Sequence, residues 1–197
     1  FMGCGRKAPL HVELGEAVYE PHHASGFVIN ETKGGGRSTV LTVTNPWQGA
    51  DSTIFRLFLS RDGEKAPEGF DGAVAAAPLS KVVCMSSSYI AFIDALGEID
   101  AVKGVSGVRY IANPVIRSRH EQGGVRDVGY DSNINFELVA ALAPDLVLLY
   151  GVTDGNSPLT RKLDEMGIQY IYIGEYVEQS PLGKAEWLVA IGEMFDK

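Results

Sequence analysis

The sequence predicts an α/β fold in which a parallel open sheet carries helices on both faces and a small antiparallel β element comes first. Three observations lead there. Residues 145–150 form an apolar run with the character of a strand buried on both faces. From residue 81 onward, strand-like and helix-like segments alternate with short connections, the pattern of a parallel sheet covered by helices. Upstream, β-branched segments flank Lys33-Gly34-Gly35-Gly36-Arg37, a hairpin signal because glycine reaches positive φ without steric cost.

The elements follow in chain order. Residues 5 to about 16 mix charge, Gly and Pro without periodicity, as a linker does. Gly26–Asn30 and Ser38–Thr44 read as the hairpin strands, and Asn45-Pro46-Trp47-Gln48-Gly49 turns the chain into a third strand, Thr53–Leu59. Three consecutive glycines also suggest a phosphate loop, but no Gly-Lys-Ser/Thr and no helix pattern follows. Pro67 to Pro78 reads as an Ala/Gly-rich connector.

Strand Lys81–Met85 feeds the run Ser86-Ser87-Ser88, whose hydroxyls can cap a helix that Gly97 ends. Ala101–Ser106 is a second short strand. Asn133 or Asn135 caps a helix over Phe136–Leu142, which Pro144 stops before the apolar strand. Ser157-Pro158 and Ser180-Pro181 each place a cap before a proline, opening helices that lead to a strand at Ile168–Ile173 and to the C-terminal segment. In the last helix Leu188, Ile191 and Phe195 fall on one stripe.

Composition narrows the function. The chain has 197 residues, 45% of them hydrophobic, enough for a substantial core. A net charge of -8 offers no electrostatic footprint for nucleic acid, so no nucleic-acid partner is expected. No apolar run reaches the roughly 18 to 20 residues of a membrane-spanning helix. Phe1-Met2-Gly3-Cys4-Gly5 has a small residue before a cysteine, as at the end of a bacterial lipoprotein signal, which would make Cys4 the acylated first residue of the mature protein. An ordinary terminal cysteine is the other reading. Cys84 sits in an apolar strand and reads as core.

The run Ser86–Gly97, then Asp127-Val128-Gly129-Tyr130, Asn135-Phe136-Glu137 and Leu142–Tyr150, resembles the N-terminal lobe of the periplasmic binding proteins that serve iron-siderophore and vitamin B12 ABC importers. The resemblance runs from about residue 17 to the end of the chain. It implies residues 1–16 as signal remnant and linker, 17–66 as a β-rich extension, 79–180 as the α/β lobe, and 181–197 as the start of the helical spine to a second lobe that is absent. The implied protein is a monomeric, lipid-anchored binding subunit, without cofactor or catalysis. It would deliver an iron chelate, or alternatively vitamin B12 or haem, to ABC permease subunits.

Candidate site residues follow from the strand ends, where open α/β sheets bind ligands. They are Ser87, Ser88 and Tyr89 after the first strand, Arg109 and Tyr110 after the second, then Tyr130 and Tyr150. Each has a plainer reading: the serines as helix caps, the tyrosines as packing, Arg109 as a solvated cation. A guanidinium fork pairs with carboxylate or catecholate oxygens, and Arg117, Arg119 and Arg126 around His120 make this loop basic in an acidic chain. Glu137 suits the first turn of a helix on charge grounds alone. The resemblance adds a second role, docking onto arginines of the permease. His22-His23 lacks metal-ligand spacing, so no metal site is expected.

No G-x-S-x-G, G-x-G-x-x-G, Walker or H-E-x-x-H signature occurs. An α/β enzyme acting on a small metabolite remains the rival class, since fold does not dictate function. A binding lobe repurposed as an adhesin or sensor is a third reading.

Overall fold

The computed structural model describes residues 13–151 and 157–197. Among the described residues, ten strands form two five-stranded sheets. The first sheet comprises β1 (Leu14–Tyr19), β2 (Phe27–Thr32), β3 (Thr39–Thr44), β4 (Ile54–Ser60) and β5 (Ala73–Ala76), in that spatial order; β1 to β4 are antiparallel and β5 pairs parallel to β4. The second contains β6 (Val82–Cys84), β7 (Val102–Val105), β8 (Arg126–Asp127), β9 (Leu146–Leu149) and β10 (Tyr170–Tyr172). All its pairings are parallel and its order is β10-β9-β6-β7-β8. The helices are α1 (Ser87–Ala95), α2 (Pro114–Glu121), α3 (Phe136–Leu142), α4 (Pro158–Glu165) and α5 (Pro181–Met194). The α/β architecture expected from the alternation is therefore present.

Side-chain alternation explains why the central and β10-side strands β6, β9 and β10 are apolar. Successive residues of a strand point to opposite faces. Val82, Cys84, Leu146, Leu148, Ile171 and Ile173 enter one core with α1, α2 and α5. Val83, Val147, Leu149 and Tyr172 enter the other, beneath α3 and α4. With both faces covered, no position is left for a polar residue. Cys84 is wholly buried, and that burial pushes its thiol pKa up to about 12, leaving it inert.

Helix α5 joins the two sheets. Phe27, Ile29, Leu41, Val43, Leu57 and Leu59 of the first sheet share one core with Trp187, Ala190, Ile191 and Met194 of α5 and with the parallel sheet. The Phe27 and Trp187 rings lie 4.9 Å apart. Truncating a buried tryptophan of this kind costs about 3–5 kcal/mol. Ile191 and Phe195 are buried as the stripe requires, while Leu188 is half-buried and Trp187 takes the core position beside it.

Buried charge completes the seam. Glu178 accepts the Trp187 indole N–H at 3.0 Å and the backbone N–H groups of Ser25 and Gly26, each at 3.0 Å. Glu186 accepts the backbone N–H groups of His22, His23 and Ala24 at 2.7, 2.6 and 2.6 Å, and the Tyr19 hydroxyl at 2.8 Å. His22 and His23 are thus engaged through their backbones. Arg61, 6% exposed, donates to Asp196, Glu193 and Thr39 at 2.7, 2.8 and 3.0 Å.

Three segments differ from the sequence reading. Residues read as linker are in strand from Leu14, and the connector contains β5, held by register to β4. The basic loop is helix α2: Asn113 caps it, accepting from the Ile116 N–H at 3.0 Å, and Pro114 stands in its first turn. Only Ile116 of α2 is buried, so its sequence lacks the apolar periodicity that marks a helix.

Candidate ligand-binding site

From β6 the chain moves to β7 and β8 on one side, then crosses to β9 and β10 on the other. The reversal lies between β6 and β9, and ligands of open α/β sheets bind in the crevice outside the carboxyl ends of strands at such a point.

At the end of β6, Ser86 caps α1, its hydroxyl accepting the Ser88 N–H at 3.4 Å. The Ser88 hydroxyl lies 2.8 Å from that of Ser86 and donates to Glu175 at 2.5 Å. Ser87 is exposed. Tyr89 departs from the expectation of a rim residue. It is fully buried, and its hydroxyl is 3.1 Å from the Leu149 carbonyl and 3.3 Å from that of Ile173, so it braces the core. Burial, with the Glu175 carboxylate nearby, raises its pKa well above the usual phenol value.

Glu175 follows β10 and had no signal in the sequence beyond being acidic. It is 7% exposed, and its Oε2 is buried with no hydrogen-bond partner among the described residues. Desolvation raises its pKa, against the lowering effect of the Ser88 hydroxyl.

At the ends of β7 and β8 one carboxylate organises the rim. Asp127 accepts the backbone N–H groups of Gly107, Val108 and Gly129, each at 3.0 Å. The turns after the two strands are thereby drawn together, and the Tyr110 and Tyr130 rings meet with centroids 5.1 Å apart. The Arg109 guanidinium lies over the Tyr110 ring at 4.6 Å, a cation–π arrangement. Gly107 has φ of 65°, and a Cβ there would come within 2.9 Å of the Tyr110 ring. A side chain here would strain the backbone and push the Tyr110 ring aside, so glycine is favoured on two counts. Gly107, Arg109, Asp127, Gly129, Tyr130 and Asn133 line a recess of about 370 Å³.

A larger cleft of about 510 Å³ lies beside it, with Met85, Leu149 and Tyr172 as buried lining residues and Ile134, Leu159, Tyr150 and Ser106 among the others. Ser106 borders this cleft and Gly107 the smaller recess, and Ser132 and Asn133 divide in the same way, so the two adjoin. Tyr110, Tyr130 and Tyr150 are 57%, 44% and 38% exposed, large aromatics left at one rim. The extension supports this wall: Trp47 lies 5.2 Å from Tyr172, and a Cβ on Gly151 would stand 2.4 Å from the Trp47 ring.

The structure thus gathers Arg109, Tyr110 and Tyr130, places Tyr150 in the neighbouring cleft, and leaves Ser87 and Ser88 at the β6 end. Sequence reasoning missed Met85, Ser106, Ser132, Ile134 and Leu159. As apolar or small residues next to loops they carry no chemical signature. Glu137 is exposed in the first turn of α3, whose cap Asn135 accepts the Leu138 N–H at 2.9 Å. The Asn135 N–H donates to the Val128 carbonyl at 2.8 Å, which brings the start of α3 to the end of β8 and Glu137 to the same rim. Cys4 lies outside the described residues. Among the described residues no helix is long and apolar enough to cross a membrane, and no group of three potential metal ligands occurs. Hydroxyls, aromatic faces and a guanidinium are groups able to hold a ligand by hydrogen bonds, stacking and charge.

No family model matches the chain. It is 29% identical to an uncharacterised lipoprotein of Methanocaldococcus jannaschii over 79% of this chain and 42% of the relative, and 28% identical to a second over 71% and 36%. The chain spans about two fifths of the length of these curated relatives. Among solved structures it is similar to the petrobactin-binding protein of Bacillus subtilis, with 25% identity, TM-score 0.47, and coverage of 60% of this chain and 39% of that one. It is also similar to a haem-binding protein of Vibrio cholerae, with 22% identity, TM-score 0.44, and coverage of 58% and 40%. A periplasmic binding protein of Veillonella parvula shares 16% identity over 82% of this chain and 47% of that one, with TM-score 0.48.

Proposed function

We propose that this chain is the N-terminal lobe of a solute-binding protein that captures an iron-siderophore or related metal chelate and delivers it to the permease of an ABC importer. The observation that carries the reading is the Arg109–Tyr110–Tyr130 platform that Asp127 assembles at the carboxyl ends of β7 and β8. A guanidinium beside aromatic faces suits an anionic chelate with aryl donor groups, because it offers charge and ring contact together. Haem or vitamin B12 is the alternative cargo, which the same aromatic faces would accept. An enzyme acting on a small metabolite is the rival reading; in favour of binding, the Asp127 carboxylate in the recess is engaged by three backbone N–H groups.

In this reading Cys4 carries the lipid anchor, holding the protein at the outer face of the membrane, and Glu137 meets a basic residue of the permease. Names of the relatives as lipoproteins support the first part. The exposed position of Glu137 at the rim supports the second.

Transport with the intact protein tests the proposal. Glu137→Lys reverses the sign of a docking charge, which acts on encounter and register. Uptake of an iron chelate through the reconstituted importer should fall sharply while chelate affinity stays within about threefold, a shift below roughly 0.7 kcal/mol. Unimpaired uptake removes Glu137 from docking, and absence of chelate binding by the wild type overturns the function. In cells, Cys4→Ala should leave the membrane fraction.

A further inference from the structure

The two recesses at the rim differ in chemistry, and the difference bears on what the ligand looks like. The smaller one presents Arg109 and Tyr130 above the Asp127 carboxylate, whose oxygens are occupied by backbone N–H groups. The larger one has Met85, Leu149 and Tyr172 buried in its lining, with Ile134 and Leu159 half-buried beside them. The polar groups of its described lining are uncharged, the hydroxyls of Ser106, Ser132, Ser157, Tyr150 and Tyr172. A compact, evenly polar chelate would fill the first recess and leave the second to water. An opening of about 510 Å³ with apolar walls gains most from an apolar occupant.

Resting on the reading of a chelate-binding lobe, we infer that the cargo is amphiphilic: an anionic chelate that sets an aryl face against Tyr130 within reach of Arg109, bearing an aliphatic or aryl limb that lies in the cleft between Met85, Ile134 and Leu159. Adjacency makes one molecule sufficient for both recesses, since Ser106 and Gly107 are consecutive and border one each. Leu159, in the first turn of α4, is a half-buried apolar residue of the cleft's lining, and the limb would pack against it. Arg109 sets the preference for negative charge in the head.

The experiment compares the iron(III) complexes of an N-methyl and an N-octyl catecholamide, titrated into the intact protein. Each methylene that is buried strengthens binding about fourfold. The octyl complex should therefore bind at least about thirtyfold more tightly than the methyl one, with only part of its chain buried. Leu159→Asp places a charge in the cleft, and Leu159→Trp fills it while keeping the site apolar. Either variant should reduce the octyl-to-methyl ratio to under about threefold and leave the methyl complex within about twofold, and Arg109→Ala should weaken both complexes alike.

Equal affinity for the two complexes, or a ratio that persists in both Leu159 variants, overturns the inference. A third probe, anilinonaphthalene sulfonate, separates this from failure of the chelate reading. If neither iron complex binds but the fluorescence of the sulfonate rises with the protein and is lost in Leu159→Trp, the chelate reading fails and the apolar-limb site stands. If the sulfonate too binds without regard to Leu159, the limb site falls.

Discussion

The Asp127 carboxylate accepts the backbone N–H of Gly107 at 3.0 Å, joining the end of β8 to the turn that follows β7. Twenty residues apart in sequence, the two are neighbours because β7 and β8 pair in parallel, with Val105 beside Asp127. The consequence for function is the Tyr110–Tyr130 contact, which depends on both turns being held.

Asp127→Asn should loosen this arrangement. An amide has one accepting oxygen and presents an NH2 to donors that need an acceptor. Losing hydrogen bonds to a charged group costs about 1.5–3 kcal/mol. We expect faster hydrogen exchange at the Gly107, Val108 and Gly129 amides and about tenfold weaker ligand binding, equivalent to about 1.4 kcal/mol. Unchanged exchange at all three amides would show that Asp127 does not hold the rim.

Glu175 and Glu186 should shift acid stability in opposite directions. For Glu186, desolvation pushes the pKa up, but the N–H groups of Ala24, His22 and His23 and the Tyr19 hydroxyl outweigh it and hold the group at about 2, below its ordinary 4.5. A depressed folded-state pKa means stability that is present above 4.5 and lost as pH falls from there toward 2. Glu186→Gln should lower Tm by about 4–8 °C at neutral pH, for a cost of about 2 kcal/mol, with the gap closing toward pH 2. A gap that stays constant with pH would exclude the charge as its origin.

For Glu175 the sign reverses. Its folded-state pKa is raised above 4.5 by burial, so ionisation opposes folding, and stability declines as pH rises through the interval between the unfolded and folded values. Glu175→Gln should therefore melt higher than the wild type at neutral pH and match it near the unfolded carboxyl pKa of about 4.3. Thermal melts of the two proteins across this range decide it. A variant less stable at neutral pH would mean that the ionised carboxylate has a favourable partner.

Arg61→Met should be among the most destabilising changes at the seam between the first sheet and α5. The guanidinium binds Glu193 and Asp196 at 2.8 and 2.7 Å while 6% exposed. Glu193 and Asp196 are 21% and 39% exposed and can be rehydrated once Arg61 is gone, so the loss is that of its charged hydrogen bonds, about 1.5–3 kcal/mol. Denaturant unfolding at neutral pH measures the loss; a change below about 1 kcal/mol would mark these contacts as surface-like.

Much of the lobe was readable because its signals are local. The serine-then-proline starts of α4 and α5, the hairpin glycines and the apolar run at β9 each express a preference of a few adjacent residues. α2 was not readable, since an exposed helix with one buried residue has no periodicity to detect. β5 was hidden for a different reason: Ala73–Ala76 has weak strand propensity and becomes a strand by pairing with β4.

The candidate site divides in the same way. Arg109, Tyr110, Tyr130 and Tyr150 were found because they follow strands and strand ends form the rim. Tyr89 follows a strand as well, yet it points inward, since its place in the first turn of α1 turns it onto the Leu149 and Ile173 carbonyls. The choice depends on helix rotation against the sheet, a property of the packed layers that residue order does not contain.

The sequence by itself determined the class of fold, the order of its layers and the rim on which the candidate residues gather, because hydrophobic period, caps and turn residues act over a few positions. Only the tertiary structure decided that Asp127 ties two turns together, that Glu178 and Glu186 fasten residues 19–26 to α5, and that apolar and charged recesses adjoin. Those relations join residues twenty to more than a hundred and fifty positions apart, and a contact at that range depends on how sheets and helices pack as solids rather than on any preference written in neighbouring residues.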